Sequence, residues 1–447
     1  MKALSLRRNF AWTFVGQIIY AASQWVIITL LARQGTSAMV GEYALALAIA
    51  GPVVTFLNMK LRAVQASDAK DEFSFADYFG LRILTSVLAT LIITLIALRG
   101  DREPEVRFTI IILAIAKAFE STSDILFGLQ QKNERMDLVS RSIIIKGILS
   151  MSAFALGFWL TGKVAGGTSG LALAWLITLL AIDFPNANKT LRASYRKNDS
   201  EQLKVFYALI PRPRFSRQVL WSLTLLTLPL AFTVTLGSLS NNIPRYFVDH
   251  WWGRSELGVY AAMIYPLAAS SLMISALAQS ATPQLSSSFQ NHDYGAFRSL
   301  LAKLVLLAAI IGGSGIVVVM AAGKQIITIL YGKDYAQYTS IFLWVMVNAA
   351  LGYLYVFLGT ALNAMRHFRV QLPIHVISVA LLLGMCWLLV PAHGLKGALI
   401  ALTVTAITEA TMYVVIVYRG IYRATQTNSR FSKYSNSALS STEGAVE

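Results

Sequence analysis

The sequence has few charged residues and almost no cysteine. Of its 447 residues, 13% are charged and 56% are hydrophobic, whereas about a quarter of the residues in soluble domains are charged. The one cysteine, Cys386, lies in an apolar run, which excludes a disulfide within the chain and a cysteine-based metal site. Together with repeated apolar runs of about 20 residues, this shortage of charge predicts a polytopic membrane protein.

The sequence also lacks the short motifs of common enzyme classes. It contains no GxxxxGK[ST] phosphate-binding loop, no GxSxG and no HExxH. The histidines are not spaced like metal ligands, so we expect them at surfaces or interfaces: His250, His292, His367, His375 and His393. We therefore predict a protein that is not an enzyme and uses no cofactor or metal. Any transport would run on an ion gradient, the membrane potential or the flow of substrate.

Apolar runs divide the chain into twelve predicted transmembrane helices, because about 20 residues at about 1.5 Å each cross the hydrocarbon core. Pro52 in the second span and Pro266 in the eighth predict kinks. The predicted fold class is an all-α polytopic membrane protein with two six-helix lobes around a central cavity. The spans are 10–31, 39–59, 79–98, 108–129, 138–160, 167–184, 218–240, 256–280, 297–322, 337–362, 371–390 and 395–418.

Basic residues are unevenly placed along the chain, whose net charge is +16. With the N-terminus in the cytoplasm, the cytoplasmic segments, which include Arg62 and Arg82, hold more than twice as many Lys and Arg residues as the external ones. This distribution obeys the positive-inside rule, so we predict that both termini are cytoplasmic and that no nucleic acid is bound. The predicted domains are a first lobe, a basic cytoplasmic linker, a second lobe and a disordered polar tail: 1–184, 185–217, 218–418 and 419–447.

The two halves share a weak internal repeat. With an offset of 217 residues, Gly41 and Tyr43 align with Gly258 and Tyr260, and both stretches open a span that contains proline. With an offset of 227, a second set of glycines aligns, Gly167 with Gly394 and Gly170 with Gly397. Matches in the same order predict a duplicated six-helix unit. Transporters built in this way place the binding site between the repeats.

The stretch 108–129 is apolar and long enough to span a membrane, yet it contains Lys117, Glu120 and Asp124. On a helix, residues three, four and seven apart lie on one face, so these charges form a stripe. Ionisable groups at membrane depth cost about 2.5 kcal/mol or more on insertion scales and usually face an interior cavity. The stripe therefore predicts a functional site. The structural alternative is an ion pair of Lys117 with Glu120 or Asp124.

Other charged residues lie inside the apolar segments or at their ends. The cations predict a site for an anion, and a diphosphate suits it because of its charge and its acceptor oxygens. For Lys60 and Arg33, which lie near span ends, the alternative is snorkelling to the headgroups. The predicted substrate-binding residues are Lys117, Lys60, Lys146, Arg33 and Arg245. The predicted ion-coupling residues, which would bind H⁺ or Na⁺, are Glu120, Asp124 and Glu409, whereas Asp183 at a span end is expected to be interfacial.

Three stretches carry a resemblance to a known family. They are RRNFAWTFVGQIIYAASQWVIITLLARQGTSAMVGEYALALAIAGPVVTF near the N-terminus, FGLQQKNERMDLVSRSI after the fourth span and LNAMRHFRVQLP in the second half. In these stretches the chain resembles flippases of polysaccharide biosynthesis that move undecaprenyl-diphosphate-linked oligosaccharides of the O-antigen type. These flippases belong to the multidrug/oligosaccharidyl-lipid/polysaccharide exporter superfamily. The resemblance runs over residues 5–420 and rests on small residues and span order.

The resemblance implies two six-helix lobes, a V-shaped central cavity, alternating access and a bacterial inner-membrane location. It also implies a cationic first lobe, with which Lys60, Lys117 and Lys146 are compatible. The partners it implies are the lipid-linked oligosaccharide, membrane lipid, H⁺ or Na⁺, and glycan polymerases or glycosyltransferases. Two other function classes stay open: an ion-coupled multidrug or cation antiporter of the same superfamily, and a non-transporting membrane enzyme or scaffold of glycan synthesis.

Overall fold

The structure, a computed structural model, describes residues 5–68, 70–99, 101–195, 212–367 and 370–443. Helices joined by short turns make up this part of the chain, and nine of them are long and apolar enough to cross a membrane. The α-helices are α1 (Leu6–Gln34), α2 (Ser37–Asn58), α3 (Leu61–Ser67), α4 (Phe75–Leu98), α5 (Pro104–Lys132), α6 (Met136–Thr161), α7 (Val164–Thr178), α8 (Phe184–Tyr195), α9 (Arg217–Ile264), α10 (Leu267–Gln290), α11 (Tyr294–Tyr331), α12 (Thr339–Ala364) and α13 (Gln371–Glu443). A π-helix at Leu179–Asp183 and a 3₁₀-helix at Lys333–Tyr338 lie between them.

Helices α9 and α13 each contain residues of two predicted spans, separated at a glycine. Gly253 has a φ of 83° and Gly394 a φ of 57°, conformations in which a Cβ would clash with the backbone. The first part of α9 continues to Gly253, so the predicted end of the seventh span at residue 240 is too early. A break at Pro266 divides the predicted span 256–280 between α9 and α10, whereas Pro52 lies inside a continuous α2.

Helices also occupy segments predicted to lie between or after the spans. Helix α8 lies in the predicted linker 185–217, of which residues 196–211 are outside the described part of the chain. Helix α13 continues to Glu443, where a disordered tail was predicted. Val417 and Ile421 pack into the apolar core of the second half, so the helix extends past the predicted end of the last span.

The α5–α6 and α12–α13 turns have the same backbone geometry. Glu134 and Arg366 have φ values of 55° and 58°. In each turn the backbone N–H of the next residue, Arg135 or His367, donates to the carbonyl oxygen five residues earlier, at 2.9 and 3.0 Å. This is the Schellman arrangement that ends many helices. The stretches FGLQQKNER and LNAMRH, which carry part of the family resemblance, therefore form equivalent turns in the two halves.

Buried apolar side chains form three main clusters. The first is shared by both halves and lies at the helix ends predicted to be external; it includes Ile28, Tyr43, Tyr260 and Val345. The second consists of residues from the second half. The third joins the opposite ends of the first-half helices to the beginning of α9. The two halves are therefore packed together at the predicted external ends. At the predicted cytoplasmic ends the second half has a core of its own, and of its helices only the beginning of α9 is part of the first half's core.

Helix α2 and the second part of α9 meet at a pair of glycines. A Cβ on Gly41 would overlap the carbonyl oxygen of Arg254, and a Cβ on Gly258 would overlap the carbonyl oxygen of Ser37. The two contacts are reciprocal, because Ser37 and Arg254 are related by the same offset of 217 residues as the two glycines. Reciprocity of this kind is typical of an isologous contact around a two-fold axis. The segments aligned by the sequence repeat therefore contact each other.

Candidate functional site

The charged stripe on α5 divides into two clusters, of which the first surrounds Lys117. Its Nζ lies 2.7 Å from Glu120 Oε2, and Tyr20 of α1 donates its hydroxyl to Glu120 Oε1 at 2.7 Å. The ammonium also lies 5.1 Å from the centre of the Trp175 ring, and the Lys117 side chain is 21% exposed. An ammonium has three N–H groups, and one is used on Glu120. The ion pair expected under the structural alternative is thus present, while Lys117 keeps donors for a further partner.

Arg245 of the second half lies near the same group of aromatic residues. Tyr265, the residue after α9, lies near both Tyr20 and Arg245. Arg245 Nη1 donates to Asn242 at 3.3 Å, whereas its buried Nε has no hydrogen-bond partner among the described residues. Tyr265 therefore lies between Arg245 and Tyr20, the hydrogen-bond partner of Glu120, and both Lys117 and Arg245 have unused hydrogen-bond donors.

The second cluster on α5 forms around Asp124. Its Oδ1 lies 3.3 Å from Arg62 Nη1, and its Oδ2 lies 3.3 Å from Arg82 Nη2. The Arg82 side chain is fully buried and also donates to Asn58 at the end of α2. Because two guanidinium groups share one carboxylate, the cluster carries a net positive charge. Asp124 is therefore placed as the counter-ion of two arginines and belongs to a different cluster from Lys117.

Arg62 and Arg82 also belong to the candidate site. The sequence does not predict this, because both residues lie near the ends of predicted spans and therefore count as cytoplasmic residues in the topology. Their role depends on which helices face α5, and the periodicity of a single helix does not contain that information. One sequence signal does point to Arg82, which lies inside the predicted span 79–98. Ionisable residues within a span usually have a specific partner.

Lys60 lies at a sharp break between α2 and α3. Met59 and Lys60 both adopt the left-handed conformation, with φ values of 51° and 53°, which costs about 1–2 kcal/mol for each residue with a Cβ. Met59 is buried and Lys60 is exposed. Within the described ranges, no carboxylate lies at ion-pair distance from Lys60. The break therefore presents an unpaired ammonium two residues before Arg62.

We expect Arg82→Gln to destabilise the protein far more than Arg62→Gln. The Arg82 side chain is fully buried, and its loss leaves Asp124 Oδ2 and Asn58 without this donor, although Arg62 still pairs with Asp124. Each acceptor left unsatisfied costs about 1–3 kcal/mol. Arg62, with 24% of its side chain exposed, forms a pair of the kind that contributes about 0–1 kcal/mol, and Arg82 would still neutralise Asp124. Thermal unfolding of the two purified variants in detergent measures the difference. Equal decreases in Tm would contradict the assignment of Arg82 as the buried anchor.

Lys146 lies buried within the first half. Its Nζ donates to Ser123 Oγ at 2.7 Å and lies 3.6 Å from Asp183 Oδ2 and 5.3 Å from the centre of the Phe127 ring. Asp183 also accepts a hydrogen bond from Ser142. It is fully buried, not interfacial as expected, and it is the last residue of the π-helix, a distortion that is frequent at functional sites. In this structure Lys146 is therefore satisfied by groups of the first half.

Arg33 lies at the predicted external end and joins the two halves. Its Nε donates to the backbone oxygen of Leu330 at 3.1 Å, and its Nη2 donates to that of Ile329. Both carbonyls belong to the last turn of α11, where a cation compensates the free carbonyl groups and the helix dipole. On the same side, Trp25 donates its indole N–H to the Tyr331 hydroxyl at 2.9 Å. Arg33 is thus placed as a helix cap between the halves.

Glu409, the third predicted coupling residue, lies in the second half. Its Oε1 is 3.1 Å from His375 Nδ1, and the side chains of His375 and Glu409 are 19% and 14% exposed. The imidazole of His375 thus packs against a largely enclosed carboxylate, and neither residue is fully buried. In the described part of the chain, no group of three or more His, Cys, Asp and Glu side chains is arranged to hold a metal ion.

The predicted site residues thus occupy several separate places. Lys117 and Glu120 are paired, and Tyr20 and Tyr265 lie between this pair and Arg245. The other predicted residues lie in different surroundings: Lys60 at the α2–α3 break, Asp124 between two arginines, Lys146 inside the first half, Arg33 at the end of α11 and Glu409 beside His375.

A bundle of long apolar helices with buried charges between them defines a multi-pass membrane protein. The sequence model described as "Polysaccharide biosynthesis protein" matches residues 6–289, which is more than half of the chain. The chain therefore belongs to the polysaccharide biosynthesis protein family. It is also 26% identical, over 416 residues, to the capsular polysaccharide biosynthesis protein CapF of Staphylococcus aureus, an alignment that covers 91% of this chain and 98% of CapF.

Solved structures with a similar fold are transporters of the MOP superfamily. An inward-facing multidrug resistance transporter of the MATE family is 12% identical, with a TM-score of 0.61 and coverage of 96% of this chain and 97% of that one. A MOP superfamily transporter from Pyrococcus furiosus is 14% identical, with a TM-score of 0.60 and coverage of 93% and 96%. These similarities show that the chain has the fold of this superfamily.

Proposed function

We propose that the protein is a flippase that moves polyprenyl-diphosphate-linked oligosaccharide across the bacterial inner membrane during the synthesis of a surface polysaccharide, such as capsule or O-antigen. The observation that carries the proposal is Lys117, a partly exposed ammonium within an apolar helix, with Arg245 of the other half near the same tyrosines. Such cations favour a ligand with several anionic oxygens. Membership of the polysaccharide biosynthesis family and the similarity to CapF support a glycan as the cargo.

The proposed path begins at the predicted cytoplasmic ends, where the second half has a core of its own and only the beginning of α9 packs on the first half. The diphosphate first contacts Lys60 and Arg62 and then binds Lys117 and Arg245, while the prenyl tail stays in the lipid. Cations along this path offset the cost of moving about two negative charges through a low-dielectric region. The halves then rock to open the external side, and a proton or cation at Glu120, Asp124 or Glu409 favours the return.

The proposal includes twelve transmembrane helices in two lobes, 1–184 and 218–418, with both termini in the cytoplasm. The reciprocal contact of Gly41 with Gly258 and the equivalent α5–α6 and α12–α13 turns support a duplicated unit. The apolar core shared at the predicted external ends corresponds to a V that opens toward the cytoplasm. Glycosyltransferases and a glycan polymerase would supply and consume the cargo.

We expect Lys117→Ala to reduce transport about tenfold or more, and Lys117→Glu to abolish it. A hydrogen bond to a charged group contributes about 1.5–3 kcal/mol, and a carboxylate at this position would repel the diphosphate. The measurement is the transfer of labelled lipid-linked oligosaccharide to the far leaflet of proteoliposomes. Lys163→Ala is a matched control, since Lys163, just before α7, is 59% exposed and pairs with Glu105 in the first turn of α5, outside this site. Undiminished transport in both Lys117 variants would exclude Lys117 as a diphosphate contact.

A cation or multidrug antiporter is the second candidate function. The observation that favours it is the pair of carboxylates, Glu120 and Glu409, inside the helical bundle, since such groups can bind cationic substrates directly. If the protein is an antiporter, Lys117→Glu would preserve or increase cation efflux. Neither the variant nor the wild type would move lipid-linked oligosaccharide. A protein that moves neither class of substrate under any gradient would instead be an enzyme or scaffold of glycan synthesis.

A further inference from the structure

The chain segment just before α9 is packed on the first turns of α4. The backbone N–H of Arg214 donates to the carbonyl oxygen of Ala76 at 2.9 Å. A Cβ on Gly80 would lie 2.2 Å from the carbonyl oxygen of Arg214, so a glycine is needed for the two backbones to approach this closely. Arg214 Nε also lies 3.9 Å from Asp77 Oδ1. This end of the basic linker is therefore held at a defined place on the first half.

That place lies at the lipid-facing edge of the predicted cytoplasmic surface. Helix α4 begins at this surface, and Gly80 shares a face of the helix with Leu84, Leu88 and Leu91, which follow it at intervals of four and three residues. These leucines are exposed, and an exposed leucine face on a membrane helix suits acyl chains. Arg214 thus lies at the headgroup level, at the end of a face that contacts bulk lipid.

The first turns of α9 continue the same surface. Arg217 and Trp221 are one turn apart, and Leu225 follows after another turn, so the three residues share a face. All three are exposed, whereas Leu220 and Leu223 on the other side of the helix are buried. A cation, an indole and an aliphatic side chain in this order are typical of a helix that enters the membrane through the headgroup region.

Three exposed arginines are concentrated here, and most of their charge is uncompensated. They are Arg212, Arg214 and Arg217. Among the described residues, Asp77 is the one carboxylate at ion-pair distance from any of them. Phe215, which lies between the arginines in the sequence, is also exposed. The segment therefore presents a net positive charge and an apolar ring at the same level.

A lipid phosphate matches this arrangement. Guanidinium groups donate several N–H groups to phosphate oxygens, and aromatic rings are favourable at the headgroup level. The cytoplasmic leaflet contains anionic lipids, which attract basic clusters next to a transmembrane helix. The diphosphate of the proposed cargo has similar chemistry, but these arginines lie beside a leucine face toward bulk lipid and not beside Lys117. The position therefore favours an ordinary anionic phospholipid as the occupant.

We propose that this segment binds the headgroup of an anionic phospholipid at the cytoplasmic surface, through Arg212, Arg214, Arg217, Phe215 and Trp221. The bound lipid holds the end of the linker against α4, at the point where the chain passes from the first half to the second. The inference does not depend on the cargo of the transporter. The positive-inside rule alone requires cations on this side but no fixed arrangement, whereas here the backbone contact at Ala76 and Gly80 fixes their place.

Trp221 allows lipid binding to be measured at this site in the full-length protein. In nanodiscs, lipids with brominated acyl chains quench nearby tryptophans, and subtraction of a Trp221→Phe variant isolates the signal of Trp221. We expect brominated phosphatidylglycerol to quench Trp221 with an apparent affinity about tenfold or more above that of brominated phosphatidylcholine, because each nearby cation attracts the anionic lipid. Equal quenching by the two lipids, or no quenching of Trp221, overturns the proposal.

Removal of the three arginine charges should abolish the preference. The variant is Arg212→Gln/Arg214→Gln/Arg217→Gln, and the matched control removes three exposed cations at the predicted external ends, Lys324→Gln/Lys333→Gln/Lys396→Gln. The control should keep the preference for phosphatidylglycerol. A preference that persists in the arginine variant contradicts the assignment. If a polyprenyl diphosphate displaces brominated phosphatidylglycerol from Trp221 more effectively than unlabelled phosphatidylglycerol does, the occupant is the cargo lipid and the proposal is wrong.

Gly80→Ala distinguishes an ordered site from an excess of positive charge. The added Cβ would overlap the carbonyl oxygen of Arg214 and displace the segment, while every charge remains. We expect the preference for phosphatidylglycerol to fall about fivefold, the effect of one cation near a membrane surface. Gly352→Ala in α12 is the matched control, since a Cβ there meets nothing within 4 Å. An unchanged preference in Gly80→Ala would show that the number of charges suffices, which overturns the ordered site.

Discussion

Gly41→Val is expected to reduce transport about thirtyfold or more by holding the predicted external ends of the two halves apart. The first side-chain atom at this position would overlap the carbonyl oxygen of Arg254 on α9. Both partners are backbone, so no side-chain rotation relieves the overlap, and the helices must separate. Overpacking of a tight contact costs about 1–3 kcal/mol, and about 2 kcal/mol corresponds to a thirtyfold change in the population of the closed state. Gly258→Val is expected to have the same effect, because its contact with Ser37 is the reciprocal one.

Cysteine cross-linking measures this separation directly. The hydroxyl groups of Ser37 and Ser255 are hydrogen-bonded to each other, so the pair Ser37→Cys and Ser255→Cys should form a disulfide rapidly in the otherwise unaltered protein. The native Cys386 is buried and does not compete. Adding Gly41→Val should lower the rate of disulfide formation by at least the same factor as it lowers the rate of transport. Gly384→Val is the matched control, since a Cβ on this helical glycine meets nothing within 4 Å. Unchanged cross-linking in the Gly41 variant would show that the contact is not required for closure.

The sequence predicted this contact only in part. The offset of 217 residues aligned Gly41 with Gly258 as equivalent positions in a repeat. Equivalence does not imply contact, because repeated units can be arranged in many ways. The structure shows that the two positions touch each other, since α2 and α9 cross where a two-fold relation would place them. A small residue at such a crossing lets two backbones approach closely.

The charged stripe on α5 illustrates a different limit. Helical periodicity predicted that Lys117, Glu120 and Asp124 share a face, and the structure has all three side chains partly exposed on α5. Periodicity does not show which helices lie opposite that face. The pairing of Asp124 with Arg82 of α4 therefore came only from the structure. The same limit applies to His375, whose partner is more than thirty residues away in the sequence but adjacent in the fold.

Helix boundaries were predicted less well than the apolar spans. Hydropathy reports which residues tolerate lipid, whereas a helix ends where its backbone hydrogen bonding ends. The segment 241–252 contains Asn, Arg, Asp and His and therefore lies outside the predicted span, yet α9 continues through it to Gly253. Ile243 and Val248 of this segment are buried in the core shared by the halves. Contacts with the other half, and not with lipid, thus extend the helix.

Lys146→Met and Asp183→Asn should each lower stability severely, whereas the double variant should recover most of the loss. Asp183 is fully buried and Lys146 is 2% exposed. A single replacement leaves one charge in the core of the first half, at a cost of about 3–5 kcal/mol, while the removal of both charges of a buried pair is often close to neutral. The amide oxygen introduced by Asp183→Asn would still be able to accept the hydrogen bond that Ser142 donates to Asp183. The yield and Tm of the monodisperse protein measure the recovery, and a double variant as unstable as the single ones would show that the two charges do not compensate each other.

The same double variant decides between two roles for Lys146. The sequence predicts it as a contact of the anionic substrate, but the structure directs its ammonium to Ser123 and Asp183 inside the first half. If Lys146 holds this half together, a stable Lys146→Met/Asp183→Asn protein should move lipid-linked oligosaccharide within about threefold of the wild-type rate, a difference below about 1 kcal/mol. If Lys146 leaves Asp183 to bind the diphosphate during the cycle, the double variant should be stable but inactive.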